Sequence, residues 1–339
     1  MEVNVTAPLA MKGPWSLLSA IPLVCYVALV LLGILGNAGV IGVVGESILR
    51  PQKGRRISDM ILVNMAFSNL MVSMVRNLLL MLTDLGLEMV PSKTWCQILM
   101  GIWVWLRCAN VWSTFFVSVF HFQTLRRVAP PTTSLSGSQG LPRSLLIGFG
   151  GIWTFSLIYS LPAFVYSTKG ATNATETLML VSSTTRPLLG CLWDFPSTSS
   201  GLVFATTSMV IHEIVPIVLM SGTNLSSLFI LYTHGNKRHL THKGQGTPAM
   251  HRVPAERRAA KVILALIVLF ISSWGASVVS VNYFNYNRGP SSTYMLVIAR
   301  FSNSAFIAVS PVILAVGHRR LRLMSTSWSL MLLTCVHSL

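Results

Sequence analysis

Several ionisable side chains stand where a charge is costly. Arg107 lies eleven residues beyond Cys96 in an otherwise apolar run, Ile98 to Phe122. At ~1.5 Å per helical residue that is ~16 Å, near the middle of a ~30 Å hydrocarbon layer. Arg76 and Glu213 interrupt two other apolar runs. A charge at such depth needs a wet cavity or a partner, and by default it marks function. The chemistry this implies is recognition rather than turnover. Two guanidiniums against one carboxylate leave surplus positive charge, suited to a carboxylate, a sulfate or another acceptor group held bidentately. Asn110, His212 and Tyr283 fall where they would line the same pocket, so the candidate ligand-binding set is Arg76, Arg107, Asn110, His212, Glu213 and Tyr283. Two plainer readings stand beside it: Arg76 snorkelling to the outer headgroups, and an Arg107–Glu213 pair that only holds the helices together.

No catalytic constellation accompanies these residues. The nine acidic residues fall mostly outside the apolar runs, and there is no Gly-rich phosphate loop or His-Glu-x-x-His pair. No cysteine–histidine spacing suits zinc. Enzyme, metal and cofactor are therefore not expected. A retinal pump needs a lysine deep inside a span, and none is present there. A proton relay needs a chain of embedded carboxylates, and only Glu213 qualifies. Repeat symmetry of the transporter kind is not evident, although a small-anion transporter or channel using Arg107 stays open as a rival class.

The elements that must position these groups follow from composition. Of 339 residues 52% are hydrophobic and 10% charged, with a mean hydropathy of +0.64; a soluble chain would carry about a quarter charged residues. Apolar runs of spanning length fall at 18–44, 60–82, 98–122, 144–165, 202–231, 259–281 and 294–316. Seven runs near the ~20 residues a spanning helix needs predict an all-α, seven-helix membrane bundle over 18–316. It is flanked by an outer tail, 1–17, and a short basic tail, 317–339. The first span is expected to serve as an uncleaved anchor. With the N-terminus outside, the inner segments hold 17 of the Lys and Arg residues and the outer ones five. That asymmetry sets the orientation, at the plasma membrane, and explains the +16 net charge as attraction to anionic lipid or an acidic partner rather than to nucleic acid.

Local signals refine this plan. Asn4 and Asn173 head glycosylation sequons on outer segments, whereas the sequon at Asn224 lies inside a span. Cys96 and Cys191 fall at outer positions. A bridge between them would restrict the 168–201 loop over the bundle mouth; the alternative is two unrelated thiols. Cys25 and Cys108 read as packing residues. Gly33, Gly36 and Asn37 suggest a closely packed first helix with one buried amide, and Ser58-Asp59 a cap for the second. Pro216 permits a bend in the fifth helix. Trp193 and Phe195 suit either the bundle mouth or an interfacial belt.

The inner end of the third helix, Ser118-Val119-Phe120-His121-Phe122-Gln123-Thr124, resembles the corresponding segment of vomeronasal type 1 receptors, whose fish members are called olfactory receptor class A-like. Arg107 and Arg76, the His212-Glu213 pair, the basic exit Tyr232 to His239, the entry Pro254 to Lys261 and the exit Ser310-Pro311 with His318-Arg319-Arg320 extend the likeness over about residues 20–322. The chain departs from that family at Leu125 to Pro130, and it lacks the Asp-Arg-Tyr and Asn-Pro-x-x-Tyr signatures of rhodopsin-like receptors. Bitter taste receptors are the nearest competing likeness. The resemblance implies a G-protein-coupled receptor fold and a chemosensory receptor. Its partners would be a small-molecule odorant or pheromone, the lipid bilayer and an inhibitory-type heterotrimeric G protein. Contacts with that G protein are expected at Gln123, Arg126, Arg127, Lys237, Arg238, Arg257 and Arg258.

Overall fold

A computed structural model of the chain describes residues 20–49, 56–87, 91–127, 143–170, 182–241, 253–287 and 293–317. Among them are seven helices long and apolar enough to cross a membrane: Pro22–Glu46, Ser58–Asp84, Lys93–Gln123, Leu145–Val165, Thr198–Ile230, Lys261–Phe284 and Tyr294–Ala315. Lipid offers no hydrogen bonds, so a spanning backbone must satisfy itself, which only helices and closed barrels achieve. The third helix, Lys93–Arg127, is the central one, with 67% of its apolar window buried against 17% for the fourth, Arg143–Val165. Side chains such as Ile147, Ile158 and Leu161 of the fourth helix point outward to lipid.

Two helices change pitch midway. The second runs as α-helix Arg56–Val72, π-helix Ser73–Leu78 and α-helix Leu79–Asp84. It starts before Ser58, so buried Asp59 sits in its first turn rather than at a cap. The fifth runs as Thr198–Met209, π-helix Val210–Ile214 and Val215–Thr241. The Val215 N–H reaches the Val210 carbonyl, and Pro216, having no N–H, leaves the His212 carbonyl without its usual helical donor. A π-turn changes the phase of every following side chain and recurs at functional sites. Here it falls on Arg76 in one helix and on His212 and Glu213 in the other.

Close approaches fix the bundle. A Cβ added at Gly36 would meet Pro311 Cγ at 2.9 Å, and one added at Gly101 would overlap the Phe164 ring. Buried amides link the first, second, third and seventh helices. Asn37 Nδ2 donates to the carbonyls of Gly33 (2.7 Å) and Ile307 (2.9 Å), and Asn69 Nδ2 donates to Ser310 Oγ at 3.3 Å. Asn110 Nδ2 donates to Asn69 Oδ1 at 2.7 Å. The sixth helix spans Val253–Tyr286 and carries the backbone of Arg257 and Arg258; the seventh spans Thr293–Gly317.

Candidate functional site

The outer connection between the fourth and fifth helices enters the bundle. Strands β1 (Ser167–Lys169) and β2 (Cys191–Trp193) pair antiparallel, with Thr168 opposite Leu192. Leu189 and Gly190 take φ of 51° and 77°, turning the chain into Cys191. A disulfide ties Cys191 to Cys96 at the top of the third helix, with the Cα atoms 5.4 Å apart. So anchored, Ser182, Ser183, Thr184 and Thr185 are all buried. Trp103 Nε1 donates to the Thr184 carbonyl (2.9 Å) and Trp193 Nε1 to the Thr185 carbonyl (2.7 Å). Trp193 therefore sits in the bundle mouth, stacked on Phe195 and tilted against Phe204, and not in an interfacial belt.

Glu213 answers this segment. Its Oε1 accepts from Ser182 Oγ at 2.7 Å and from the Thr184 N–H at 2.9 Å, while Oε2 is buried without a hydrogen-bond partner. Arg107 is held elsewhere. Its Nη2 donates to Asn303 Oδ1 at 2.9 Å, Asn303 Nδ2 donates to Ser277 Oγ at 2.8 Å, and the guanidinium carbon lies 3.4 Å from the centroid of the Trp274 ring. The Arg107–Glu213 ion pair is thus not formed. The carboxylate is spent on the loop backbone, and the guanidinium lies against an aromatic face that supplies part of the missing negative potential.

Two further arginines complete the site. Arg76 points inward, 5.2 Å from the Trp103 ring centroid, so it is not snorkelling to headgroups. Arg186, on the buried loop, lies 5.6 Å from the Phe284 ring centroid of the sixth helix. Burial lowers its pKa to about 10, which leaves it cationic at neutral pH. Arg76 Nε, Arg107 Nε, Arg186 Nη1 and Trp274 Nε1 are all buried donors without acceptors. A fourth cation, Arg300, is matched by Asp84 at 2.7 Å and packs over Tyr26. Among the described residues the mouth therefore carries three guanidiniums against one carboxylate, in surroundings where an unmet donor costs ~1–3 kcal/mol.

The remaining candidates are placed differently. Asn110 is buried one turn inward of Arg107 and belongs to the amide network with Ser68 and Asn69. His212 points into the seam of the third, fourth and fifth helices. There its Nδ1 accepts from Trp112 Nε1 (3.1 Å), and its ring lies 4.3 Å from that of Tyr159. An accepting Nδ1 puts the ring proton on Nε2. Tyr283 is 45% exposed near the outer end of the sixth helix, and among the described residues no hydrogen bond or ring contact joins it to the arginines. Sequence reasoning missed Arg186, Trp274, Asn303 and the Ser182–Thr185 plug. The nearness of that plug to Cys191 was the available signal. At the C-terminal end of the third helix Gln123 and Arg126 are exposed. Asn4 and Asn173 and the side chains of Arg127, Lys237, Arg238, Arg257 and Arg258 lie outside the described residues.

Residues 36–313 match the family described as 7 transmembrane receptor (rhodopsin family). The chain belongs to that family. It does so without the Asp-Arg-Tyr and Asn-Pro-x-x-Tyr signatures; its third and seventh helices carry His121 and Ser310-Pro311 near their inner ends. It is also similar to zebrafish (Danio rerio) proteins. It is 39% identical to olfactory receptor class A-like protein 4 over 83% of this chain and 80% of the relative. It is 24% identical to olfactory receptor class A-like protein 1 over 78% and 79%. Membership makes this a multi-pass receptor of the plasma membrane, not an enzyme, working between a small-molecule ligand and a G protein.

Proposed function

We propose that this receptor is chemosensory, of the vomeronasal type 1 class. In this reading it takes a small organic anion into the outer half of the bundle and activates an inhibitory-type heterotrimeric G protein. The observation that carries the ligand chemistry is the set of buried, acceptor-less guanidinium nitrogens on Arg76, Arg107 and Arg186, around a carboxylate already bonded to Ser182 and Thr184. A carboxylate or sulfate supplies the acceptors those nitrogens lack, and guanidinium binds such groups bidentately. The two zebrafish relatives, by their names, support the olfactory part of the reading. The Lys and Arg asymmetry supports an outer N-terminus and an inner G-protein face that includes Gln123, Arg126, Arg127, Lys237, Arg238, Arg257 and Arg258.

The test is GTPγS uptake by an inhibitory-type G protein in membranes carrying the receptor, challenged with panels of small acids, amines and neutral steroids. Acids alone are expected to stimulate uptake. Arg107→Ala is expected to raise the half-maximal concentration about ten- to hundredfold, the equivalent of one charge-assisted hydrogen bond. Unchanged responses to every activating acid in Arg107→Ala, at equal surface expression, would sink the anionic-ligand reading.

A further inference from the structure

The seam between the third and fifth helices opens toward its inner end. Ser118 Oγ and Thr223 Oγ1, 2.5 Å apart, hold the two helices together. Beyond that contact lies a groove of about 400 Å³ lined by Phe122, Arg126, Leu225, Ser226, Phe229 and Ile230. Its medium can be read from the fifth helix. Val218, Leu225, Phe229 and Tyr232 are 63–70% exposed, and their spacing of seven, four and three residues sets them in one stripe. An exposed apolar stripe on a spanning helix faces hydrocarbon. Leu225 and Phe229 belong to both stripe and groove, so the groove opens sideways into lipid.

One cation sits in this apolar cleft. Arg126 is three residues past the end of the third helix's apolar span at Gln123, ~4.5 Å further along the axis. That places it at headgroup level. It is exposed, its guanidinium lies 5.7 Å from the Phe122 ring centroid, and among the described residues it has no carboxylate partner. Ser226 adds a hydroxyl donor to the same cleft. A positive head beside apolar walls matches an amphiphile of opposite charge.

We propose that this groove binds one anionic phospholipid of the inner leaflet. The phosphate sits on the Arg126 guanidinium and Ser226 Oγ, and an acyl chain lies along Phe122, Leu225, Phe229 and Ile230. Leaflet assignment rests on the orientation proposed above; the site itself does not depend on the odorant reading. Guanidinium suits phosphate through its planar pair of donors. An acidic protein segment fits less well, because the apolar walls continue into the lipid-facing stripe. A lipid wedged here braces the third helix against the fifth, the helix whose π-turn holds Glu213.

The test uses the full-length receptor in phosphatidylcholine nanodiscs carrying trace phosphatidylserine, or trace phosphatidylcholine, with a photoactivatable acyl chain. Phosphatidylserine is expected to label peptides covering 122–126 and 225–230 about fivefold more than phosphatidylcholine, the preference one basic residue confers near a membrane surface. Arg126→Gln is expected to erase the preference, and Ser226→Trp, which fills the groove, to lower labelling by both lipids. Equal labelling by the two lipids, or a preference that survives Arg126→Gln, overturns the proposal. Soluble glycerophosphoserine that competes the label away would reveal a free-anion site instead, and would equally overturn it.

Discussion

At the scale of single residues, the unusual side chain is Glu213. It shares the bundle mouth with Arg107 yet spends its one engaged oxygen on Ser182 and the Thr184 backbone. Its charge opposes an incoming anion while its hydrogen bonds hold the loop, and substitution separates the two roles. Glu213→Gln retains an acceptor but removes the charge, so carboxylate ligands are expected to gain potency by at least about fivefold in the nucleotide-exchange assay. Glu213→Ala removes both and is expected to lower surface expression. If Gln weakens acids as strongly as Ala does, charge opposition is not what Glu213 contributes. Arg107 was legible in the sequence because a charge in an apolar run is self-announcing. Its partners were not, since Trp274 and Asn303 come from helices whose rotation no spacing in the third helix reveals.

At the scale of elements, seven spans could be read from runs of apolar residues because lipid imposes length and composition on each. The π-turns could not. A reading at 100° per residue assumes constant phase, and the extra residue at 73–78 and 210–214 breaks it. Adjacent residues on a helix point ~100° apart, and His212 and Glu213, read as one pocket pair, address different neighbours: the Trp112–Tyr159 seam and the loop. The contact of the third and fourth helices is fixed more rigidly, by Gly101 beneath the Phe164 ring. Gly101→Val is expected to destabilise the receptor by ~1–3 kcal/mol through overpacking, read as a lower melting temperature in detergent. Adding Phe164→Ala should recover most of that loss, and failure to recover would show that the contact does not set the helix spacing.

At the scale of the whole molecule, the orientation proposed from where the basic residues fall predicts which sequons meet the glycosylation machinery. Enzymatic deglycosylation of the expressed receptor is expected to shift its mobility. Asn4→Gln and Asn173→Gln should each remove part of the shift, and Asn224→Gln none, since Asn224 is buried within the fifth span. A shift lost only in Asn224→Gln would invert the assignment. Overall architecture and the central role of the third helix were open to sequence reading, because hydropathy and topology are coarse, summed properties. The inward fold of the outer loop was hidden. Ser182 to Thr185 are small and polar, the composition of a solvated loop, and only the disulfide to Cys96 and the bonds to Trp103 and Glu213 make them interior.

That tethered plug also bears on time. A ligand lodged beneath Ser182–Thr185 leaves no faster than the segment lifts, and lifting breaks the bonds from Trp103 to the Thr184 carbonyl and from Ser182 and Thr184 to Glu213. Dissociation is then gated by the protein rather than set by the ligand alone. Chemically different agonists would share a similar slow residence time and differ mainly in how readily they enter, so the receptor would respond to a brief pulse of odorant with a signal that outlasts it.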